Sequence, residues 1–150
     1  MTISPKRKMV LAAVSCLLAI VLLRPLIAET LCIRGDEFLR SGDPSAAQHY
    51  YRLALYDDPN CRTAAERFAF ASLEIHTSQA LVAGVEVADA YLRRHDDQAI
   101  RADLALALWG VKDFARATVE LRAVGKSARD ARYERLAQIA ERRVRDHARK

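Results

Sequence analysis

The sequence predicts an all-α protein: an N-terminal transmembrane helix, then about three antiparallel helical hairpins, then a C-terminal capping helix. Three observations carry this. Alanine is abundant while Gly (5) and Pro (4) are few, and Ala loses least on entering a helix. Runs that alternate Val, Ile and Thr, as strands would, are missing. Apolar residues recur instead at spacings of three and four, punctuated by turn-forming clusters.

The first element is basic and then apolar. Residues 1–8 are polar, with Lys6, Arg7 and Lys8 together. Met9 to Leu23 follows without a charge; these fifteen residues rise about 22 Å as a helix, against a hydrocarbon core of roughly 30 Å. Continuing through Arg24, Pro25, Leu26, Ile27 and Ala28 reaches about 30 Å, with the Arg24 guanidinium free to snorkel to the far interface. The expectation is an uncleaved single-pass anchor over 9–28 in the cytoplasmic (inner) membrane. Residues 1–8 would stay cytoplasmic and the C-terminal domain would lie outside, because basic clusters are retained inside. A cleaved signal peptide shares these features; Ala28 suits the residue before a cut, but Leu26 does not suit the third residue back. A lipid-modified Cys16 needs a longer apolar run before it.

Next come the hairpins. Leu31, Gly35, Phe38 and Leu39 lie at helical spacing up to Ser41-Gly42-Asp43. Ala46, Ala47, Tyr50, Tyr51, Ala54 and Leu55 form a second stripe, which Asp57-Asp58-Pro59-Asn60 ends, since Pro cannot continue a helix. Small residues at positions 35, 47 and 54 let two backbones approach. A second unit places Ala65, Phe68, Ala69 and Ser72 on one helix. Its turn is His76-Thr77-Ser78-Gln79, with Ser78 as the expected N-cap. Ala83, Val87, Ala90 and Tyr91 follow in a frame about three residues late, which an insertion at the turn explains. The third unit carries Leu104, Ala105 and Leu108, a turn at Lys112-Asp113-Phe114, then Ala117, Leu121 and Val124.

The last helix is expected from Ser127, with Asp130 at capping-box spacing and Tyr133, Leu136, Ala140 and Val144 as its apolar stripe. Arginines 129, 132, 135, 142, 143, 145 and 149 cover its other faces. A helix with one wet side suits the end of a stack. The arginines read as a solvated face or, more sharply, as attraction to an acidic surface.

Charge is uneven. Residues 1–24 carry +4, residues 25–125 hold 11 basic and 15 acidic side chains for −4, and residues 126–150 carry +5. The basic character sits at the two ends, so a nucleic-acid footprint across the fold is not indicated.

Gly35, Phe38, Gly42-Asp43, Ala47, Tyr51, Ala54-Leu55 and Asp58-Pro59-Asn60 together resemble the tetratricopeptide repeat family, in its membrane-anchored bacterial form. The first repeat would span about 28–61, with Leu31 where the family often has Trp. The resemblance implies about three repeats over 29–125 and a capping helix over 126–150. It also implies a concave groove, lined by the first helices, that takes a peptide or helix of a protein partner. In this chain the groove residues would be Asp36, Leu39 and Arg40 from the first unit and Trp109 from the third. Trp109 reads equally as an anchor for the partner or as packing against the capping helix. The resemblance further places Cys32 near the start of one first helix and Cys61 just before the next, as a candidate disulfide or as two free thiols.

No catalytic constellation emerges. His49, His76, His95 and His147 lack partners at metal spacing, Cys-x-x-Cys is missing, and phosphate-cradling Gly loops are missing. The expectation is a non-enzymatic, membrane-anchored scaffold for recruitment or assembly of envelope proteins, without cofactor, metal or small-molecule substrate. The alternatives are a structural subunit of a larger membrane complex and an accessory factor for an envelope enzyme.

Overall fold

Turn chemistry cuts the chain into helices. Ser41-Gly42-Asp43 ends the first, with Gly42 at φ +84°, a left-handed conformation that glycine adopts without strain. The Asp43 N–H donates to the Phe38 carbonyl (2.9 Å), and the Asp43 carboxylate accepts from the Ala46 N–H (2.9 Å) to start the second helix at Pro44. The same turn recurs 70 residues later. Lys112 takes the left-handed position (φ +66°), Asp113 donates to the Leu108 carbonyl (2.9 Å), and its carboxylate caps Arg116 (3.2 Å). Between them His76 is left-handed and the Thr77 hydroxyl caps Ala80.

The structure, a computed structural model, describes the backbone of residues 5–148 and the side chains from Val14 onward except those of 16, 17 and 20. Seven helices result: α1 (Pro5–Arg40), α2 (Pro44–Asp57), α3 (Arg62–Ile75), α4 (Ser78–Leu92), α5 (Gln98–Gly110), α6 (Phe114–Ala128) and α7 (Ala131–Ala148). No strand occurs among the described residues. Each helix packs on the next in sequence, and α3 also touches both α1 and α5. The odd-numbered helices therefore form one layer and α2, α4 and α6 the other. This is an all-α, helical-repeat-like architecture.

Three core clusters run along the stack. Ala28, Cys32, Ala47, Tyr51, Ala54, Ala64, Phe68 and Ala71 join α1, α2 and α3. Tyr91, Ile100, Leu104 and Leu108 centre the middle cluster, and Leu121 with Ala105, Ala137 and Ala140 ties α7 to α5 and α6. Small residues set the closest approaches. A Cβ on Gly35 would overlap the buried Tyr51 ring, and one on Gly84 would meet the Ser72 side chain at 2.8 Å. The Ser72 hydroxyl is itself held, donating to the Phe68 carbonyl and accepting from the Gln48 amide at 2.8 Å each. Charged clips reinforce the connections between units. Arg62 binds both Glu66 (2.8 Å) and Asp97, Arg94 donates to the Pro59 carbonyl (3.0 Å), and Arg101 joins Asp96 (2.9 Å) to Glu120 (2.8 Å).

Three expectations are corrected. The first is the transmembrane anchor. Among the described residues no helix is long and apolar enough to cross a membrane. The final residue of the expected span, Ala28, is fully buried under α2 and α3 within the first core, so that end belongs to the hairpins. What precedes Arg24 is a fifteen-residue apolar stretch, about 22 Å of helix, short of a bilayer core of roughly 30 Å. The helix runs unbroken through Pro25, and Val14, Leu18, Val21, Leu22, Leu23, Leu26 and Ile27 are exposed on it. The single-pass location and the membrane contact that rested on the span lose their support with it. The expectations for residues 1–4 and 149–150, Arg149 among them, and for the side chains of 5–13, 16, 17 and 20, lie outside the described residues.

The second correction concerns the register slip. From cap to cap, Asp43 to Thr77 is 34 residues and Thr77 to Asp113 is 36. The turn of the second unit therefore holds no insertion; a longer α4 and the Arg93–Asp97 connection absorb the extra residues. Third, α6 carries on through Ser127 to Ala128. The break falls at left-handed Arg129 (φ +52°), and Asp130 caps α7 through the Arg132 N–H (2.9 Å).

Candidate functional site

The four groove residues expected from sequence do not meet in one place. Asp36 is half-buried on α1, where its carboxylate accepts from the Tyr51 hydroxyl (2.7 Å) and lies 3.7 Å from the Arg67 guanidinium. Burial first, and then that hydrogen bond to Asp36, hold the Tyr51 phenol well above its ordinary pKa. Leu39 packs half-buried against the first core, and Arg40 is exposed. Trp109 is half-buried at the far end of α5. It makes an edge-to-face contact with Phe114 (5.5 Å between centroids) and joins Tyr133 and Leu136 in the core beneath α7. Of the two sequence readings for Trp109, its surroundings here are those of packing against the capping helix.

A cleft opens instead along the odd-numbered helices. It encloses about 440 Å³ and is lined by Glu66, Arg67 and Phe70 of α3, Ala99, Ala102 and Asp103 of α5, and Tyr133 of α7. The alanines keep its floor shallow and apolar. Phe70 is 41% exposed and Leu106, farther along α5, is 43% exposed. Large apolar side chains are exposed on the other layer as well, among them Leu53, Val82 and Val119, so Phe70 is set apart by its place in the cleft and not by its exposure.

The charges around the cleft are not equivalent. Glu66 is engaged by Arg62, and Arg67 points to Asp36. Asp103, half-buried, has no hydrogen-bond or ion-pair partner among the described residues. Burial, then the negative charges of Glu66 and Asp97, push its carboxyl up to about 6. Among the described residues no Ser, Thr, Cys or Lys lines the cleft. Aromatic faces, small side chains and one uncompensated carboxylate can hold and orient a bound group.

Sequence reasoning missed Phe70, Asp103 and Tyr133. For Phe70 a signal was present: adding the 34-residue cap spacing to Asp36 gives Phe70, and a further 36 gives Leu106. The two exposed apolar residues thus occupy the positions equivalent to Asp36 in the later units. Tyr133 had no such signal, because it enters the cleft from the capping helix.

Cys32 and Cys61 carry free thiols. Cys32 is buried on α1, and Cys61 precedes α3 and packs against the same core. Burial, with the Cys61 thiol beside it, pushes Cys32 up to about 12. Among the described residues no three His, Cys, Asp or Glu side chains converge as metal ligands. No protein-family model, no curated protein and no solved structure matches the chain.

Proposed function

We propose that this protein is a tetratricopeptide-like scaffold that holds a segment of a protein partner in the cleft between α3, α5 and α7. The observation that carries this reading is the exposed Phe70 lining a 440 Å³ hollow along α3, α5 and α7. An aromatic side chain left open in a concave surface is the kind of anchor that dominates binding energy at interfaces. Recruitment or assembly of other proteins follows from a groove that binds without an evident reactive group.

The test is site-specific photo-crosslinking in cells. A benzophenone amino acid is placed at position 70, in the cleft, and separately at position 119, where Val119 is exposed on α6, away from the cleft lining. A discrete adduct formed only from position 70 supports the reading. The same adducts from both positions, or none from 70, reject it.

A second reading is favoured by one observation. Between Val14 and Ile27 α1 exposes seven large apolar side chains, which supports a subunit of a larger assembly in which another chain covers that stretch. Hydrodynamic size separates the two: a stable hetero-assembly that survives loss of the cleft residues favours the subunit.

A further inference from the structure

The cleft carries a charge that the fold leaves unanswered, and this specifies what enters it. Three other charged groups surround the cleft, and each has an opposite partner: Glu66 has Arg62 (2.8 Å), Asp97 has the same Arg62, and Arg67 has Asp36 (3.7 Å). Asp103 has none among the described residues. It lines the cleft together with Phe70 and Tyr133.

Resting on the groove-binding reading above, we propose that the cleft selects a partner segment presenting a Lys or Arg side chain, with its cationic head on Asp103 and its alkyl stem along Phe70 and Tyr133. Three physical arguments support that occupant. A neutral segment seated there would bury Asp103 further without compensation, and an uncompensated buried carboxylate is costly. An acidic segment would add repulsion to the carboxylates of Glu66, Asp97 and Asp103. A cationic one neutralises Asp103, while its stem covers apolar surface and its head gains from the ring faces. The size also fits: a hollow of this volume takes one long side chain and its flanking backbone, not a folded element.

The experiment titrates the full-length, ¹⁵N-labelled chain with three acetylated, amidated pentapeptides, Gly-Leu-X-Leu-Gly, in which X is Lys, norleucine or Glu. The expected result is amide shifts confined to residues 66–70, 99–106 and around 133. The Lys peptide should bind about fivefold or more tightly than the norleucine peptide, as a partly desolvated ion pair gives. Asp103→Asn should bring the two within about twofold while the spectrum stays folded, and Asp103→Glu should keep the preference. Equal affinity of the Lys and norleucine peptides in the cleft overturns the cationic selection and leaves the groove reading standing. Tighter binding of the Glu peptide overturns it as well. No cleft shift with any peptide sinks both.

Discussion

Asp103 is a residue whose replacement should make the protein more stable. Its carboxyl ionises near 3.8 ordinarily and near 6 in the folded chain, first because burial disfavours the charge and then because Glu66 and Asp97 repel it. At full strength that displacement corresponds to about 3 kcal/mol. The side chain still meets water in an open cleft, so screening reduces the effect to about 1–2 kcal/mol. The sign follows from proton counting. Between about pH 3.8 and 6 the folded state holds a proton that the unfolded state has released, so stability falls as pH rises through that window, and the penalty is complete above it. The groups facing Asp103 are Glu66 and Arg67 from α3, Asp97 at the start of α5, and Tyr133 from α7. None supplies a compensating bond. Asp103→Asn keeps the shape and removes the charge. At neutral pH it should gain about 1–2 kcal/mol, raising the thermal midpoint by about 2–8 °C for a chain of this size. Below about pH 3.5 the gain should disappear, because wild-type Asp103 is then protonated in both states. Urea melts of both proteins at the two pH values decide it. A variant no more stable at neutral pH, or a gain that persists undiminished in acid, refutes the reasoning.

Two further outcomes follow from packing. Trp109→Ala removes the ring that meets Phe114, Tyr133 and Leu136; for a half-buried Trp this should lose about 2–3 kcal/mol, with hydrogen exchange accelerating in α7 before the other helices. Unchanged stability with α7 still protected would show that the ring is not structural. Native alkylation by iodoacetamide at mildly alkaline pH should label half-buried Cys61 and spare Cys32, which burial keeps protonated, until urea unfolds the chain; equal labelling of both in the native state would contradict that placement.

Local chemistry made the hairpins legible, because their ends are set by nearest neighbours. Gly42-Asp43 and Lys112-Asp113 each combine a left-handed residue with a carboxylate that caps the next helix, and both turns were marked from sequence. Where two residues compete for one role, local reading slipped by a residue or more. Thr77 caps α4 where Ser78 was expected, and Ser127 continues α6 because the stop comes from Arg129 and Asp130. The anchor was misread for a different reason. Apolarity alone does not say which surface a residue will face, and Ala28 is satisfied by α2 and α3 rather than by lipid.

The cleft was hidden because its chemistry is a remainder. The segment 25–125 carries a net charge of −4, but that figure does not say which carboxylates are free. The fold assigns them one at a time. Asp43, Asp97 and Asp113 cap helices. Asp36 takes Tyr51 and Arg67, Asp89 takes Arg116 (2.8 Å), and Asp96 and Glu120 share Arg101. Glu66 takes Arg62. The caps and the Arg62–Glu66 pair are local, but Asp36–Arg67, Asp89–Arg116 and Glu120–Arg101 join different helices, and those cannot be read from adjacent letters. Of the two carboxylates that line the cleft, Glu66 and Asp103, only Asp103 is left without a partner among the described residues, half-buried and sharing the hollow with Phe70 and Tyr133. A charge that weakens the free protein and meets no partner within it is the feature that a cationic side chain from another protein would complete.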